Sequence, residues 1–488
     1  MILPVSYQTT SLDEIIPPLN YGLIYAFACA EAHREQTVQV LQQGYTKLLQ
    51  LRPYLGGDIL VVPTEPQGVH DGRIAVADLS MPSSGWTHNY AELLEAGMPL
   101  SWLDAVLLAP YVAGTATTTK PFMVQVNWIP GGCLLTMSIS HAVVDASGAG
   151  MVIQSWAQLC REIQGLSEPE THGAASEDIN GANNSIPAFN NKTASGASFQ
   201  TLKTRPELWK LLGLHWEDNI APPPDAPSLP TSFPAAGGSI PGMQTAIFSF
   251  SRDAIARLKQ DATPSDKSQW ISGNDALTAL IWRSVMRARF SHGSNFKSST
   301  STESQATVFN GGVESGNEPK SIVSVAINGR SLLKPPLPAS YINNVVYCCM
   351  TELPLVQMLS SPLSTLASSI RRRIEAIKSD PALIHDATLL ASAIPDVGKL
   401  TFAFRAFLGR DLVTSSWIDI PFYEVDFGPV LGKPDLIRVP RGQFGGLCCL
   451  QPRKPGGDVE VFVSVRGSEL GELLEDEEFG RYASFVCV

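Results

Sequence analysis

The chain has 488 residues, which is too many for one ordinary hydrophobic core, so its length predicts two domains. Hydrophobic residues make up 44% and charged residues 17%, a composition typical of a well-packed soluble protein. The formal net charge of −11 argues against nucleic-acid binding, which needs a basic surface, but it allows a local basic pocket.

The N-terminal residues and the cysteines indicate a compartment. Residues Met1–Ser6 have no positively charged region, and no run reaches the roughly 18–20 apolar residues needed to cross a bilayer. The eight cysteines have no zinc or redox spacing. The pairs Cys348–Cys349 and Cys448–Cys449 lie in apolar runs, which favours buried thiols over disulfides. We therefore expect a cytoplasmic protein with no membrane segment and no bound metal.

The first 166 residues are predicted to contain a long helix, a β-hairpin and a second helix. Apolar residues at helical spacing predict the first helix at His33–Leu51. Apolar and polar residues then alternate at Phe122–Trp128 and again at Leu135–Ile139, with the turn residues Pro130–Gly132 between them. Helical spacing returns over Val152–Ile163.

The predicted hairpin ends at His141, which forms an H-x-x-x-D motif with Asp145. Gly148 and Gly150 follow and predict a loosened chain before the helix. A histidine at this place would accept a proton from a bound hydroxyl or amine, and a positioned general base contributes roughly 10²–10⁴ to a rate. The alternative is a hydrogen-bonded core histidine without chemistry, because such motifs also occur by chance. The preceding strand and the following helix favour catalysis.

The composition changes after residue 166. Glu168–Ser198 is rich in Ala, Ser, Asn and Gly and cannot bury enough apolar surface to offset the entropy of ordering. Pro222–Pro241 is proline-rich, and clustered leucines predict a short helix at Glu207–His215. The predicted organisation is an N-terminal domain over 1–166, a crossover loop over 167–242 and a C-terminal domain over 243–488.

The second half mixes strands and helices. The predicted elements are a strand at Gln244–Phe250, helices at Ser251–Gln260 and Asn274–Phe290, a polar insertion at Ser291–Lys320, and strands at Gly446–Leu450 and Val459–Val465. The mixture and the absence of an internal repeat predict the α/β fold class.

The late segment Thr414–Gly428 contains the pair Ser416–Trp417 and ends in Asp426–Phe427–Gly428. Together with His141 and Asp145, this segment resembles the signatures of the BAHD acyltransferases. That CoA-thioester-dependent family of plants and fungi carries H-x-x-x-D early and D-F-G-W-G late. Five motifs in the family's order are far more specific than one.

The other three motifs lie between these two. Ser272–Arg283 is similar to the family's central helix, Asn328–Pro338 to its G-R-S and P-P-L-P loop, and Asn343–Val346 follows at the usual place. Two departures are visible, because D-G is Asp145–Ala146 here and D-F-G continues as Pro429–Val430 instead of W-G. The second departure resembles fungal members of the trichothecene O-acetyltransferase-like branch. Neither removes a group with proton-transfer chemistry.

The resemblance implies a fold and a reaction. The fold is α/β, with two chloramphenicol-acetyltransferase-like domains, mixed sheets flanked by helices, a long crossover loop and an active-site channel between the domains. The reaction is direct O-acylation, most simply O-acetylation, of a hydroxyl on a fungal secondary metabolite. The implied partners are a small-molecule alcohol or amine acceptor and acyl-CoA, with acetyl-CoA expected as co-substrate. No permanently bound cofactor is implied, and the chain is expected to be a monomer.

The resemblance also implies the catalytic roles. His141 would be the general base, and Trp417, with Ser415 beside it, would donate a hydrogen bond to the oxyanion of the tetrahedral intermediate. Asp145 would either orient His141, as a triad aspartate does, or hold the motif loop by pairing with an arginine. We favour the second role and propose Arg330 as the partner, because a buried charge needs one.

Four further residues are assigned by the same resemblance. Ser272, Ser416 and Gly428 are expected on the CoA side of the channel, and Asp426 is expected to be structural. A helix start such as Ser272 suits phosphate binding, but a plain helix-capping role is an equal alternative.

Three other functions stay open. One is an N-acyltransferase with the same machinery. Another is a condensation-type enzyme that takes acyl groups from a carrier protein, although such enzymes usually have a second histidine where Ser140 stands. The last is a non-catalytic binding scaffold, against which the intact His141, Asp145 and Trp417 argue.

Overall fold

The computed structural model describes residues 9–16, 20–57, 72–109, 120–166, 196–216, 242–266, 268–290, 319–338, 340–403, 409–440 and 447–488. Its helices are α1 (Ser11–Glu14), α2 (Arg34–Leu51), α3 (Tyr90–Glu95), α4 (Ala105–Leu108), α5 (Ala146–Ile163), α6 (Gly196–Leu202), α7 (Pro206–Leu212), α8 (Arg252–Asp261), α9 (Gly273–Phe290), α10 (Leu355–Ser360), α11 (Leu363–Lys378), α12 (Pro381–Ala393), α13 (Gly467–Glu475) and α14 (Glu477–Gly480). Its strands are β1 (Asn20–Ala28), β2 (Ala75–Asp78), β3 (Phe122–Ile129), β4 (Gly132–Ser140), β5 (Leu214–Trp216), β6 (Met243–Phe250), β7 (Lys320–Asn328), β8 (Val346–Pro354), β9 (Leu400–Phe402), β10 (Leu412–Ser416), β11 (Leu436–Arg438), β12 (Cys448–Leu450), β13 (Val459–Arg466) and β14 (Ser484–Cys487).

The first sheet has the strand order β11-β1-β4-β3-β2 and carries the H-x-x-x-D motif at the end of β4. The predicted hairpin is confirmed, because β3 and β4 pair antiparallel from Phe122 opposite Ile139 to Ile129 opposite Gly132. Its turn contains Gly131 at φ +82, a left-handed conformation that glycine adopts without strain.

The second sheet has the strand order β14-β6-β13-β12-β10-β7-β8. It is mixed, because β10 runs parallel to both neighbours while β6, β13 and β12 pair antiparallel. Helix α9 packs against α8, α11 and α13 and contacts β10 of this sheet. The strands β5 and β9 form a separate two-stranded sheet, whose Leu214, Trp216 and Leu400 belong to the hydrophobic core of the second sheet.

The two halves of the sequence exchange segments. Strand β11 comes from the second half but extends the first sheet, with Ile437 opposite Tyr25 of β1. In the other direction, Leu12 and Ile15 near the N-terminus pack into the core of the second sheet. The domain limits 1–166, 167–242 and 243–488 stay predictions, and a boundary at residue 243 does not describe this exchange.

The helix after the motif begins six residues earlier than the apolar spacing predicts, at Ala146 rather than Val152. The prediction of a loosened chain at Gly148 and Gly150 is wrong, since both lie inside α5. A Cβ atom on Gly148 would lie 2.0 Å from the carbonyl oxygen of Ile342, so glycine here permits close packing. The short helix predicted at Glu207–His215 ends at Leu212, and His215 belongs to β5.

Other predicted features fall partly or wholly outside the described residues. These are most of the polar segments 168–198 and 291–320, the proline-rich segment 222–241 and the start of the strand predicted at Gly446. All eight cysteines are described, and all are free. Of the two pairs predicted to be buried thiols, Cys349, Cys448 and Cys449 are buried and Cys348 is half-buried. In the described residues, every helix is too short or too polar to cross a membrane.

Candidate active site

His141 lies on a tight turn between β4 and α5. The turn is closed by the backbone N–H groups of Val143 and Val144, which donate to the Ser140 carbonyl at 3.2 and 3.1 Å. The imidazole is half-buried, and its ring packs edge-on against Tyr21 with the centroids 5.3 Å apart. Its Nδ1 atom is buried and has no hydrogen-bond partner among the described residues. A core histidine with a purely structural role would have a satisfied Nδ1, so this geometry favours the catalytic interpretation.

The carboxylate of Asp145 has two structural roles, as a helix cap and as an ion-pair partner. It caps α5, because Oδ1 accepts from the backbone N–H of Gly148 at 2.8 Å. It also forms a bidentate ion pair with Arg330, at 2.9 Å for both hydrogen bonds, and Oδ2 accepts from the N–H of Val345 at 3.1 Å. The predicted contact with Arg330 is therefore present. The carboxylate is occupied by these four donors rather than by the imidazole of His141.

Arg330 connects the motif turn to the loop that precedes β8. Its Nε donates to the carbonyl of Tyr341 and its Nη2 to the carbonyl of Asn343, each at 2.8 Å. The side chains of Arg330 and Asp145 are 10% and 2% exposed. A planar guanidinium with this many fixed acceptors holds three separate segments in one geometry.

A second buried carboxylate, which the sequence analysis missed, supports the same loop from the other side. Asp13 accepts from the backbone N–H of Asn344 at 3.0 Å and from its Nδ2 at 2.8 Å. The same Nδ2 donates to the carbonyl of His141 at 2.8 Å. Burial raises the pKa of Asp13 from its ordinary value of 3.8 to about 6, while hydrogen bonds from Thr10 and Asn344 act in the opposite direction. The available signal was the capping box of Thr10 and Asp13.

The late motif meets the early one around a tyrosine. The ring of Tyr21 lies 5.3 Å from that of His141 and 6.3 Å from that of Trp417, centroid to centroid. The indole N–H of Trp417 donates to the hydroxyl of Ser415 at 3.0 Å. Ser416 faces a different element, because its hydroxyl donates to Asn274 at the start of α9 at 3.1 Å. The structure thus brings His141, Trp417 and Ser415 into one region.

A cavity of about 600 Å³ opens beside this region. Its walls come from the start of α9, from β7, from the Arg330 loop and from α11. It contains the cations Arg330, Arg371, Lys378 and Arg453. Among the described residues, Lys378 and Arg453 have no carboxylate within ion-pair distance, which leaves their charges available to an anionic ligand.

Ser272 both caps α9 and lines this cavity. Its hydroxyl accepts from the N–H of Asp275 at 3.2 Å, as a capping serine does, and from Nη2 of Arg371 at 2.9 Å. Arg371 also binds the buried carboxylate of Asp275 at 2.5 Å. The capping interpretation is therefore correct, and the position on the cavity wall fits ligand binding as well.

Asp426 and Gly428 hold the late motif to the end of α5. Asp426 forms an ion pair with Arg161 at 2.9 Å and accepts from the N–H of Gly428 at 2.8 Å. Gly428 has φ +77, and a Cβ atom there would lie 2.7 Å from Nε2 of Gln164. In the described residues Gly428 and Ser416 are not part of the cavity wall. The structural role of Asp426 fits these contacts, whereas CoA binding by Gly428 and Ser416 stays a prediction.

The site consists of proton-transfer and hydrogen-bonding groups. Within the described ranges, no cluster of three or more His, Cys, Asp or Glu side chains is arranged to hold a metal ion. The arrangement provides a half-buried imidazole, a hydroxyl–indole pair and a cation-lined cavity. Such groups suit attack on an activated acyl group, with an anionic carrier bound in the cavity.

Comparison with known proteins identifies the family. A family model described as "Transferase family" matches residues 243–479, and one described as "Trichothecene 3-O-acetyltransferase-like N-terminal domain" matches residues 20–160. Eremophilane O-acetyltransferase prx11 of Penicillium rubens is 34% identical over 97% of this chain and 98% of its own length. The chain belongs to the BAHD acyltransferase family. Trichothecene 3-O-acetyltransferase TRI101 of Fusarium sporotrichioides is 26% identical over 92% of this BAHD chain and 90% of its own length.

Solved structures of other BAHD proteins share the fold. TRI101 of F. sporotrichioides, complexed with coenzyme A and T-2, has a TM-score of 0.75 at 21% identity and covers 99% of this chain and 100% of that one. Vinorine synthase has a TM-score of 0.61 at 17% identity, covering 100% of this chain and 96% of that one. The predicted α/β fold with mixed sheets and the predicted family are confirmed, and the chain is an acyltransferase.

Proposed function

We propose that this acyltransferase transfers an acetyl group from acetyl-CoA to a hydroxyl of a fungal secondary metabolite. The observation that carries the proposal is the position of Arg330, which fixes the His141 turn through Asp145 and also lines the cation-bearing cavity. The base and the binding cavity therefore share one structural element. Relatives named as eremophilane and trichothecene O-acetyltransferases support the acetyl donor and the hydroxyl acceptor.

The reaction proceeds by direct transfer. His141 removes the proton of the acceptor hydroxyl as the oxygen attacks the thioester carbonyl, and a tetrahedral intermediate forms. The intermediate collapses by breaking its carbon–sulfur bond, and the protonated imidazole returns the proton to the CoA thiolate. One ester and one free thiol are produced for each thioester consumed. The imidazole is suited to both steps, because it accepts and donates protons near neutral pH.

The oxyanion is bound by the Ser415–Trp417 pair. The indole N–H of Trp417 donates to the Ser415 oxygen at 3.0 Å, which leaves the hydroxyl proton of Ser415 for another acceptor. A hydroxyl that already accepts a hydrogen bond is a better donor, since neighbouring hydrogen bonds polarise one another. Ser415 would therefore donate to the oxyanion, and Trp417 would either support it or share the oxyanion directly. A donor of this kind contributes roughly 10²–10³ to the rate.

The cavity beside Arg330 receives the donor. Acyl-CoA carries phosphate groups, and Lys378 and Arg453 are cations without carboxylate partners in the described part of the chain. Ser272 offers a hydroxyl at the same wall. The small-molecule acceptor would reach His141 separately from the donor. We also propose that the chain acts as a monomer, in the cytoplasm and without a nucleic-acid partner.

One assay tests the proposal. The purified chain is incubated with acetyl-CoA and a panel of sesquiterpenoid and other terpenoid alcohols, and free thiol and ester are measured together. Matched amines replace the alcohols in a second panel, and an acetyl-loaded carrier protein replaces acetyl-CoA in a third. Ester formation with stoichiometric thiol release supports the proposal. Transfer only to amines or only from the carrier protein overturns it, and His141→Ala reports the uncatalysed background.

A further inference from the structure

Trp270 differs from the other tryptophans of this chain. Nine are present, and all nine are described. The others are buried or half-buried, whereas Trp270 is 57% exposed. An exposed indole leaves apolar surface in water, and by itself it needs no explanation. The position of Trp270 does need an explanation, because this residue precedes Ile271 and Ser272 at the start of α9, beside the cavity wall.

The indole is held in place by a cavity residue. The guanidinium carbon of Arg371 lies 4.2 Å from the centroid of the Trp270 ring, a cation–π contact. Arg371 is itself fixed by Asp275, Ser272 and Glu375, with which it forms four hydrogen bonds. One face of the indole therefore rests on a rigid support at the edge of the cavity, and more than half of the side chain is open to solvent. Such a ring is pre-organised to stack with a flat ligand.

The charges nearby specify the ligand. The cavity that contains Arg371 also contains Lys378 and Arg453, two cations without carboxylate partners among the described residues. A flat aromatic platform beside cations that lack carboxylate partners among the described residues matches a ligand in which an aromatic base is joined to phosphates. The nucleotide half of acyl-CoA has this composition. Stacking of a base on an aromatic ring is tolerant of geometry, and cations add to it.

We propose that Trp270 is the platform on which the adenine ring of the acyl-CoA donor stacks, with Arg371 supporting the opposite face of the indole. This inference rests on the proposed function, because it assigns a binding residue for the donor of that reaction. Trp270 takes no part in the chemistry. It would lower the KM for the complete thioester and leave kcat and the acyl-group preference unchanged.

Two donors separate nucleotide binding from catalysis. Initial rates are measured with acetyl-CoA and with S-acetylpantetheine, which has the same thioester but no nucleotide. Trp270→Ala is expected to raise the KM for acetyl-CoA by about tenfold. The same substitution should leave kcat and the rates with S-acetylpantetheine within twofold of the parent. Trp270→Phe should recover most of the loss. The matched control is Phe485→Ala, which truncates another exposed aromatic side chain outside the cavity. It should change neither KM nor kcat with either donor.

Binding of 3′,5′-ADP gives a readout that does not depend on turnover. Titration of the parent chain should quench tryptophan fluorescence, and Trp270→Ala should lose the quenching and weaken the calorimetric binding constant about tenfold. Equal binding by the two chains, or no binding to the parent, overturns the platform. Equal losses of activity with acetyl-CoA and with S-acetylpantetheine also overturn the platform, because they would indicate a structural role for Trp270. If ADP binding depends on Trp270 but no donor supports transfer, the platform stands and the proposed function fails.

Discussion

Asp145 and Arg330 hold each other through two parallel hydrogen bonds of 2.9 Å, from Nη1 to Oδ2 and from Nη2 to Oδ1. The pair joins the first turn of α5 to the loop before β8, and the side chains are 2% and 10% exposed. The short spacing of H-x-x-x-D would suggest an aspartate that orients the histidine. In this chain the aspartate forms an ion pair with Arg330 instead. His141 is positioned through the backbone that Asp145 and Arg330 hold in place.

Removal of one partner of this pair should destabilise the fold. Asp145→Asn and Arg330→Gln are each expected to lower the free energy of unfolding by about 3–5 kcal/mol, because each leaves a buried charge without its counterion. The double variant should lose less than the sum, as the interaction can be lost only once. Unfolding in urea measures the free energy of unfolding of all three variants. Glu424→Gln breaks the exposed ion pair with Lys433 and should cost less than about 1 kcal/mol. Additive losses would show that Asp145 and Arg330 are not coupled.

His141→Ala should remove activity but not structure. We expect kcat to fall by roughly 10²–10⁴, because proton removal is required during the attack. The unfolding midpoint should change little, since the imidazole is half-buried and its Nδ1 has no partner to lose. His385→Ala, at a side chain that is 59% exposed, serves as the control. Activity of His141→Ala within tenfold of the parent would refute the general-base assignment.

Ser415 and Trp417 should affect the transition state more than substrate binding. Trp417→Phe removes the indole N–H and keeps an aromatic ring against Tyr21 and Phe422. Ser415→Ala removes the hydroxyl that accepts that N–H. Each variant is expected to lower kcat by roughly 10²–10³-fold with little change in KM. A large increase in KM at constant kcat would instead assign Trp417 to packing around the substrate.

Sequence patterns within one segment predicted those parts of the site that form within one segment. The alternation of apolar residues over Phe122–Ile139 and the glycines of its turn define the hairpin that ends at His141, and both were readable from the sequence. Strand β1 was not predicted, because its residues are apolar in succession and buried on both faces, a pattern that a buried helix shares. Tyr21 lies on β1 and was not predicted either, because its contact with Trp417 joins residues far apart in the sequence.

The prediction of where α5 begins was wrong for a different reason. Glycine has a low helix propensity, so Gly148 and Gly150 predicted an irregular segment. Tertiary packing overrides this preference, because a side chain at either position would collide with a neighbour: Ile342 in one case and Ile420 in the other. Asp13 was missed similarly, since its hydrogen bonds to Asn344 join residues far apart in the sequence. No pattern within one segment reveals such a contact.

Gly148→Ala tests this packing. The added Cβ would lie 2.0 Å from the Ile342 carbonyl oxygen, a backbone atom that cannot move without displacing the Arg330 loop. We expect a loss of about 3 kcal/mol in the free energy of unfolding, at the upper end of overpacking effects. Gly471→Ala is the matched control in α13, where a Cβ meets nothing within 4 Å. That variant should gain about 0.5–1 kcal/mol from helix propensity. Equal effects of the two substitutions would contradict the close approach.

Asp13 should make stability depend on pH in a particular direction. Its folded-state pKa, about 6, lies above the ordinary value of 3.8, because burial disfavours the carboxylate. The neutral acid is therefore the form that folding favours. Its stabilising contribution is fully present below pH 3.8 and is lost as the pH rises through about 6. The phenol of Tyr341, a titratable group of the same loop, stays protonated over this range because burial and the charge of Asp13 raise its pKa.

The measurement compares the parent with Asp13→Asn, which cannot ionise. Both chains are unfolded in urea at a series of pH values from 4 to 8, and the difference between their free energies of unfolding is plotted. As the pH rises from 4 to 7, the parent should lose stability relative to the variant by up to roughly 3 kcal/mol, the amount that corresponds to a pKa change from 3.8 to about 6. Above pH 7 the difference should be constant. Glu14→Gln, at the exposed neighbouring carboxylate of α1, is the matched control for an acid-to-amide substitution in this helix. If Asp13→Asn gives a flat difference, or one that slopes the other way, the carboxylate is ionised in the folded protein at all these pH values. The loop that holds His141 would then be fixed by a charged Asp13 even below pH 6, where the raised pKa predicts a neutral one.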